Sequence, residues 1–445
     1  MKSNLIVRLG VYAALLFVCG LCALTTYGSY AWFNLNLGQV HLFEFADVSV
    51  EAIETWSYDA RPALVIDSAA GNISITAADV SQIEVETHKT AWGRNDEEAT
   101  DNAYALEVVV TETDESLTLT FTSEPEVSVA SSRGGMDHID FVIRVPAGTP
   151  IQLTATTSFG DVEVRGTSGD ADLETQFGNI TVSDLAGALT AASSNAEIHL
   201  TNVDAGEADV TAETTFGMVE AENISANAIT LTTSNGNITA SGLEAAADLK
   251  LETQFGEINV DGFRAGSLTL DNQTGRIELD NGEVTGRLEA FASFGDIELI
   301  HVLAAGYTLS STNGTIKLDE ASGPLTITTS FGSIEVAGAV NATLNLEASN
   351  GSITFSGTLN PEAAHTLLTS FGDIRLTIPA DSAFDLSLET SFGRITSELP
   401  VTLTGTLSQE SDQSTWEGTL NGGGQELKAT TSNGDIQFII LDPGN

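Results

Sequence analysis

The chain contains 445 residues, and its 62 acidic and 16 basic side chains give a formal net charge of −46 at pH 7. This charge argues against a nucleic-acid partner and against a membrane-surface role for the folded part, because phosphate groups require a basic surface. Hydrophobic residues make up 42% of the chain, which is enough for a large core and excludes disorder throughout.

The N-terminus has the pattern of a membrane anchor or a signal peptide. Lys2 and Arg8 are the only charged residues before an uncharged stretch, and residues 9–33 are long enough to span a bilayer. The positive-inside rule predicts that residues 1–8 are cytoplasmic and that the chain after the stretch lies outside. A cleaved secretory signal peptide is the alternative interpretation. We therefore predict a single-pass cell-membrane protein with an extracytoplasmic C-terminal domain at the cell surface, or a secreted protein if the segment is cleaved.

The region after this segment is predicted to be a linker followed by an irregular cap. Cys19 and Cys22, the only cysteines, lie in the apolar segment, so the exported part has no disulfide. Residues 34–60 form the predicted linker, and residues 61–150 form the predicted β-rich N-terminal cap region. Within this region, periodicity predicts strands at 82–87, 106–113, 116–122 and 139–145 and a short helix from Asn95 to Tyr104.

Residues 151–400 contain a regular internal repeat. The pattern is Leu-x-Leu-x-Thr-Ser-(Phe or Asn)-Gly-x-Ile-x-Val, and an earlier copy begins at Leu64. The repeated glycines are about 19 residues apart up to Gly393, with Ala196 in place of one. The final gap, from Gly393 to Gly434, is about twice as long and is expected to hold two periods. These glycines are Gly160, Gly178, Gly217, Gly236, Gly256, Gly275, Gly295, Gly314, Gly332, Gly351, Gly372, Gly393 and Gly434.

Each copy predicts two short strands joined by a tight corner. In one copy Ile229, Leu231 and Thr233 alternate with outward polar residues, which is the period of a half-buried strand. The glycine is expected at the corner because a positive φ there would be unfavourable for a residue with a Cβ atom. Each copy exposes one apolar face that only a neighbouring copy can cover. The sequence therefore predicts an all-β protein, a parallel β-solenoid with coils of about 19–20 residues.

The residue before the glycine is the second predicted corner position. Phe and Asn take turns over much of the array, which suggests that two Phe side chains in successive coils would be crowded. An alternative interpretation is a coil of about 39 residues, two repeats long, with Phe corners on one side and Asn corners on the other. The corner residues are Phe159, Phe177, Phe216, Phe255, Phe294, Phe331, Phe371 and Phe392, and Asn195, Asn235, Asn313, Asn350 and Asn433.

Residues 401–445 are predicted to form a hairpin insertion and the last coil. The run from Ser411 to Leu420, followed by the glycines up to Gly424, has the pattern of a hairpin. Trp416 is expected to cover core that would otherwise be exposed at the end of the solenoid. The final copy of the repeat then follows around Gly434.

Several of these motifs resemble a known family. The repeated Thr-Ser-Asn-Gly-Asp-Ile and Thr-Ser-Phe-Gly-Asp-Ile units, the closing stretch Asn421–Ile436 and the stretch Ile139–Gly166 resemble the bacterial and archaeal β-strand-repeat family called "putative adhesins". The resemblance covers nearly everything after about residue 60. It implies a surface domain of unknown function, and it provides no catalytic residue to carry over.

The sequence contains no group of residues with the pattern of a catalytic or metal-binding site. The residues that follow the glycine, such as Asp161, Asn179 and Arg276, are mixed in type, so we predict a solvated face and no calcium ladder. The six histidines are scattered, and the basic residues do not gather in one column of neighbouring coils. We therefore predict no catalytic residue, no metal site and no cofactor.

The sequence predicts a non-catalytic cell-surface module with a structural or adhesive role. Two alternatives remain open: a membrane-anchored ectodomain for envelope sensing or signalling, and a polysaccharide-active solenoid enzyme. The expected partners are the membrane, through the N-terminal helix, and a surface glycan or protein. The oligomeric state is left open by the sequence.

Overall fold

The structure, a computed structural model, describes residues 48–122, 136–404, 409–410 and 413–441. The predicted cytoplasmic segment 1–8 and the predicted anchor 9–33 lie outside these residues. Within the described ranges, no helix has the length and apolar character needed to cross a membrane.

The described residues form one short helix and 33 strands. The helix, α1, spans Asp96–Ala105, and Asn95 caps it by accepting a hydrogen bond from the Glu98 amide at 3.0 Å. The strands are β1 Val48–Tyr58, β2 Ala63–Ser68, β3 Ile73–Ala78, β4 Ile83–Gly93, β5 Val109–Glu112, β6 Ser116–Phe121, β7 His138–Pro146, β8 Gln152–Phe159, β9 Val162–Arg165, β10 Ala171–Phe177, β11 Ile180–Ala186, β12 Leu189–Ser193, β13 Ile198–Asp204, β14 Val210–Phe216, β15 Val219–Ala226, β16 Ile229–Asn235, β17 Ile238–Phe255, β18 Ile258–Thr274, β19 Ile277–Phe294, β20 Ile297–Asn313, β21 Ile316–Asp319, β22 Ser322–Phe331, β23 Ile334–Asn350, β24 Ile353–Leu359, β25 His365–Phe371, β26 Ile374–Ile378, β27 Phe384–Phe392, β28 Ile395–Ser397, β29 Val401–Leu403, β30 Gln409–Glu410, β31 Gln413–Leu420, β32 Glu426–Asn433 and β33 Ile436–Ile440.

The strands stack in parallel, one coil above another, with equivalent residues of successive repeats opposite each other. Asn235 lies between Phe216 and Phe255, which belong to the preceding and following repeats. The parallel β-solenoid is therefore confirmed, and its coil is one repeat long. The alternative coil of two repeats is wrong, because it would place Phe216 directly opposite Phe255.

The core lies inside the coils and is built from every second residue. Ile229, Leu231, Thr233 and Ile238 are all buried, and the residues between them face outward. Full burial of one aliphatic side chain of this size contributes about 1.5–3 kcal/mol. Because each coil repeats this pattern, equivalent buried residues of successive coils lie above one another and form continuous apolar columns.

A second bend recurs six residues after the corner glycine, and the sequence analysis missed it. The backbone there has φ between 52° and 69° in most coils, as at Asn202, Asn223 and Asn281. Asn and Asp tolerate this left-handed conformation better than other residues with a Cβ atom. Their side chains also connect coils: the Asn202 amide donates to Asp184 Oδ1 at 2.9 Å. The recurrence of Gly, Asn or Asp six residues after the corner glycine is the sequence pattern that could have predicted this bend.

The N-terminal end is not stacked in chain order. Strands β2 and β3 lie between the β6–β7 coil and the β8–β9 coil, so strands β6 and β7 belong to the outermost coil. Antiparallel strands close it, with β4 on β7, β1 on β4, and β5 on β6. Residues 61–150 thus contain two regular coils beneath an antiparallel cap. Residues 48–58, inside the predicted linker 34–60, are strand β1 of that cap.

The C-terminal end is inverted in the same way, because its coils also do not stack in chain order. Strands β32 and β33 insert between the β25–β26 coil and the β27–β28 coil, so the last coil in the chain is the second last in the stack. Strand β31 pairs antiparallel with β27 and closes the outermost coil, and Trp416 packs against the core there. The long gap between Gly393 and Gly434 therefore does not hold two regular periods, because it contains this closing strand.

Candidate functional site

The predicted corner glycines form one column along the solenoid. The column begins at Gly71 and ends with Gly372, Gly434 and Gly393 in that order, and Ala196 is its one position with a side chain. A Cβ atom on any of the corner glycines would lie 1.8–2.2 Å from a backbone carbonyl oxygen of the neighbouring coil. Positive φ is found at five of the predicted glycines: Gly160, Gly217, Gly256, Gly275 and Gly332. The close approach of the neighbouring coil is therefore what requires glycine at all of these positions. The expected positive φ is confirmed at only five of them.

Buried polar side chains join the coils at this corner. In most coils the residue three positions before the glycine donates a hydrogen bond to the carbonyl oxygen of the preceding coil's corner residue; Thr253 Oγ1, for example, donates to Gly236 at 2.9 Å. The donors are buried, so each bond forms away from water, where an unpaired carbonyl is costly. The donors are Thr157, Thr175, Ser193, Thr214, Thr233, Thr253, Asn272, Ser311, Thr329, Thr369, Thr431 and Thr390.

The residues after the glycine also connect coils, although their mixed identities had suggested only a solvated face. Asp161 Oδ1 accepts a hydrogen bond from the Asn179 amide at 2.8 Å, and Asn237 Oδ1 accepts from Glu257 at 2.9 Å. Asp, Asn and Ser can all accept in this way, so their mixture follows from one shared structural role. Asn72, Asn179, Asp296, Ser333, Ser352, Asp373 and Asp435 do the same.

The corner Phe side chains are on the surface. Their exposed fractions run from 44% at Phe159 to 62% at Phe392, although Phe is among the residue types most often buried. Phe159 and Phe177 occupy successive coils and stack with ring centroids 5.1 Å apart. Crowding therefore does not explain why Phe alternates with Asn elsewhere. In four of the five Asn coils the Asn side chain bonds to the preceding coil, as where Asn235 Nδ2 donates to the Thr215 carbonyl at 3.3 Å.

The inverted C-terminal end restores the alternation of Phe and Asn in space. Phe371 and Phe392 follow each other in the sequence, but Asn433 lies between them in the stack and is opposite both. The column from Phe216 to Phe392 thus has an aromatic ring at every second coil, with Thr274 in place of one Asn. Such a regular series of exposed rings is unusual for a soluble surface.

We define the corner strip as the glycine column together with the two positions before it in each coil. None of the chain's 62 acidic and 16 basic residues lies in this strip from Ser158 to Gly434. The position four residues before the glycine also faces outward, yet it holds Glu174, Glu213 and Asp271. The first strip position, two residues before the glycine, is polar and uncharged in every coil: Ser158, Gln176, Ser194, Thr215, Ser234, Gln254, Gln273, Ser293, Thr312, Ser330, Ser349, Ser370, Ser391 and Ser432.

Outside the corner strip, an acidic groove of about 480 Å³ crosses neighbouring coils. Glu220, Glu222, Glu257, Asp261 and Asp280 are among its lining residues. Asp261 Oδ1 already accepts a hydrogen bond from Asn281 at 2.9 Å. The described residues contain no group of three or more His, Cys, Asp or Glu side chains placed to hold a metal ion.

Tyr307 and His365 are buried titratable side chains inside the solenoid. The Tyr307 hydroxyl donates to the Val302 carbonyl at 2.7 Å and accepts from the Ala304 amide at 2.9 Å, and burial raises its pKa. His365 occupies a column position that is Leu in the two adjacent coils, and burial lowers its pKa. Its Nδ1 accepts from the Leu344 amide at 3.2 Å, so Nε2 carries the proton and donates to the Asn360 carbonyl. These bonds satisfy core polar groups and do not converge on a cleft.

The stacked coils, the corner column and the closed ends define a parallel β-solenoid repeat protein. A family model described as Toastrack DUF4097 matches residues 62–324 and 320–438. The chain therefore belongs to this family, a domain of unknown function, and the resemblance to adhesin-like β-repeat proteins is confirmed.

Solved structures provide three further comparisons. A "putative adhesin" from Bacteroides fragilis is 15% identical and covers 64% of this chain and 97% of its own, with a TM-score of 0.28. A "putative cell adhesion protein" from Clostridium sporogenes is 8% identical and covers 88% and 100%, with a TM-score of 0.16. A "putative adhesin" from Parabacteroides distasonis is 10% identical and covers 74% and 97%, with a TM-score of 0.22. No curated protein matches the chain.

Proposed function

We propose that this protein is an elongated cell-surface binding module and that the corner strip is its contact surface. The observation that carries the proposal is the series of half-exposed Phe rings in an uncharged strip, on a chain whose net charge is −46. The fold does not require these rings, since Asn and Thr occupy the same column position in other coils. Rings kept on the surface without a structural need are typical of a binding surface.

The shape of the solenoid suits presentation of such a surface. The corner column has fourteen glycines and Ala196, and a spacing of 4.8 Å between coils gives it a length of about 67 Å. Residues 9–33 would anchor this rod in the membrane and direct it outward, as the N-terminal charges predict. The acidic faces on either side would keep neighbouring rods apart and leave the uncharged strip free for contact.

Substitution within the strip tests the proposal. Phe216, Phe255 and Phe294 are changed together to Asn, the residue that the column itself uses in alternate coils, so the coil geometry is kept. Cells displaying the full-length variant should bind less to envelope fragments of the cells that make the protein, as measured by co-sedimentation. The matched control changes Leu303 and Val340 to Asn, because both side chains are exposed outside the strip, by 51% and 61%. Equal binding by the triple variant, or an equal loss in the control, would refute the corner strip as the contact surface.

A further inference from the structure

We propose that the corner strip binds an uncharged polysaccharide that lies along the solenoid axis. The inference rests on the proposed function and names the class of ligand that the strip would take. The polymer's sugar rings would lie against alternate Phe rings, and its hydroxyl groups would meet the polar side chains between them. Three features of the strip, its spacing, its chemistry and its charge, support this ligand.

The spacing of the aromatic rings suits an extended polymer. Phe216, Phe255 and Phe294 are separated by two coils each, which corresponds to about 9.6 Å between successive rings. Two sugar units of an extended, equatorially linked polysaccharide span nearly the same length. A single chain could thus place every second sugar on a ring over several coils. A compact ligand would use one or two rings and would not need the series.

The chemistry of the strip matches both faces of a sugar. The C–H face of a pyranose ring is apolar and packs on an aromatic side chain, whose exposed area is already about half of each Phe. Between the rings lie Asn235 and Thr274, and beside them lie Gln254 and Gln273, all exposed. Their amide and hydroxyl groups can both donate and accept hydrogen bonds, as sugar hydroxyls require. Binding sites commonly combine an apolar surface with a few such polar groups.

The charge of the molecule selects among partners. A second copy of this chain would carry another −46 and would be repelled along the whole length of the rod. An anionic polysaccharide would meet the same repulsion, while a basic protein would be drawn to the acidic faces and away from the strip. An uncharged polymer pays no such electrostatic penalty. The strip contains no acidic residue, although the column next to it holds Glu213, Glu252 and Asp271. An uncharged strip of this kind suits an uncharged ligand.

The experiment uses the full-length protein in a detergent that has no sugar headgroup. Calorimetry measures the binding of cellohexaose, laminarihexaose and chitohexaose, with hexagalacturonate as the anionic comparison. At least one uncharged hexasaccharide should bind, with an affinity that changes little with salt. Changing Phe216, Phe255 and Phe294 together to Asn should weaken that binding about tenfold or more. Circular dichroism checks that the variant keeps the wild-type fold, and the Leu303→Asn, Val340→Asn variant should bind as wild type.

The outcomes separate this inference from the proposed function. Failure of every uncharged hexasaccharide to bind, or binding that the triple variant retains, overturns the inference. Preference for hexagalacturonate also overturns it. If the triple variant loses envelope binding while no hexasaccharide binds the wild type, the strip remains the contact surface and the polysaccharide is refuted as its ligand. If neither binding is seen, both proposals are refuted.

Discussion

The close approach of successive coils at the corner predicts that a single methyl group there disturbs the ladder. A Cβ atom at Gly236 would lie 1.9 Å from the Gly217 carbonyl oxygen, whereas real Cβ contacts are essentially never shorter than 3.0 Å. In Gly236→Ala the two coils must therefore separate locally by about 1 Å. That shift would break the bond from the Gly217 amide to Asn235, now 3.3 Å, and the bond from Thr233 Oγ1 to Gly217, now 2.9 Å.

The expected cost follows from these bonds. Each lost bond costs about 1 kcal/mol, and a buried group left without a partner costs about 1–3 kcal/mol. We therefore expect Gly236→Ala to lower the local stability by about 2–4 kcal/mol. Repeat proteins open coil by coil, so the measurement is hydrogen exchange of the amides in strands β14, β16 and β17. Exchange should accelerate there and stay unchanged near the two ends.

The chain contains its own comparison at Ala196. The ladders of strand β12 with β10 and β14 end at Ser193, and beyond them Ser194 still bonds to the adjacent coils, its carbonyl accepting from the Phe216 amide at 3.1 Å. In the next coil, by contrast, the ladder itself continues as far as Phe216. Ala196→Gly should therefore lengthen β12 and slow exchange at the Phe216 amide. If Gly236→Ala leaves exchange unchanged and Ala196→Gly does not slow it, the close-approach explanation is wrong.

Three further predictions concern polar groups in the core. Thr253→Val removes the hydroxyl that donates to Gly236 and should lower stability by about 1 kcal/mol in urea unfolding, whereas the same change at the outward Thr230 should have little effect. Tyr307→Phe leaves the Ala304 amide and the Val302 carbonyl unpaired and should cost about 1–3 kcal/mol, seen as a lower melting temperature; an unchanged value would mean that water replaces the hydroxyl. Because burial lowers the pKa of His365, the unfolded chain takes up the proton first, so stability should fall as the pH drops below the ordinary value of 6.5 and level off below the folded pKa. His365→Leu should flatten this dependence in melting curves, and a slope that persists unchanged would assign it to other groups.

Much of the solenoid could be predicted from local pattern. The alternation around Ile229 and Leu231 indicates a half-buried strand, and the nearly constant interval between the repeated glycines gives the repeat length. The strand register then showed that one coil is one repeat long. The short helix after Asn95 followed from its capping residue, and the structure confirms it. The corner positions of the candidate site were also evident, because they recur in the sequence.

The burial of the corner side chains could not be predicted in the same way. Phe before the glycine and Thr three positions before it lie close together in the chain, yet Phe255 is exposed and Thr253 is buried. Alternation places Thr inside, but it does not show that its hydroxyl meets a carbonyl of the preceding coil. Nor does it show that the Phe rings stay outside, because a ring at a corner can turn either way. Contacts between coils decide both outcomes.

By itself the sequence determined the length of the repeat, the face that each strand buries and the uncharged character of the strip, since all three are periodic along the chain. Only the tertiary structure decided the order in which the coils stack. Copies of one repeat have compatible hydrogen-bonding edges, so no local pattern states which copy lies next to which. The insertion of β2–β3 and β32–β33 one coil inside each end depends on pairing between distant segments. That pairing leaves the outer side of each outermost coil to the antiparallel strands that close it. It also places Asn433 between Phe371 and Phe392, which is why a Phe ring recurs at every second coil as far as Phe392.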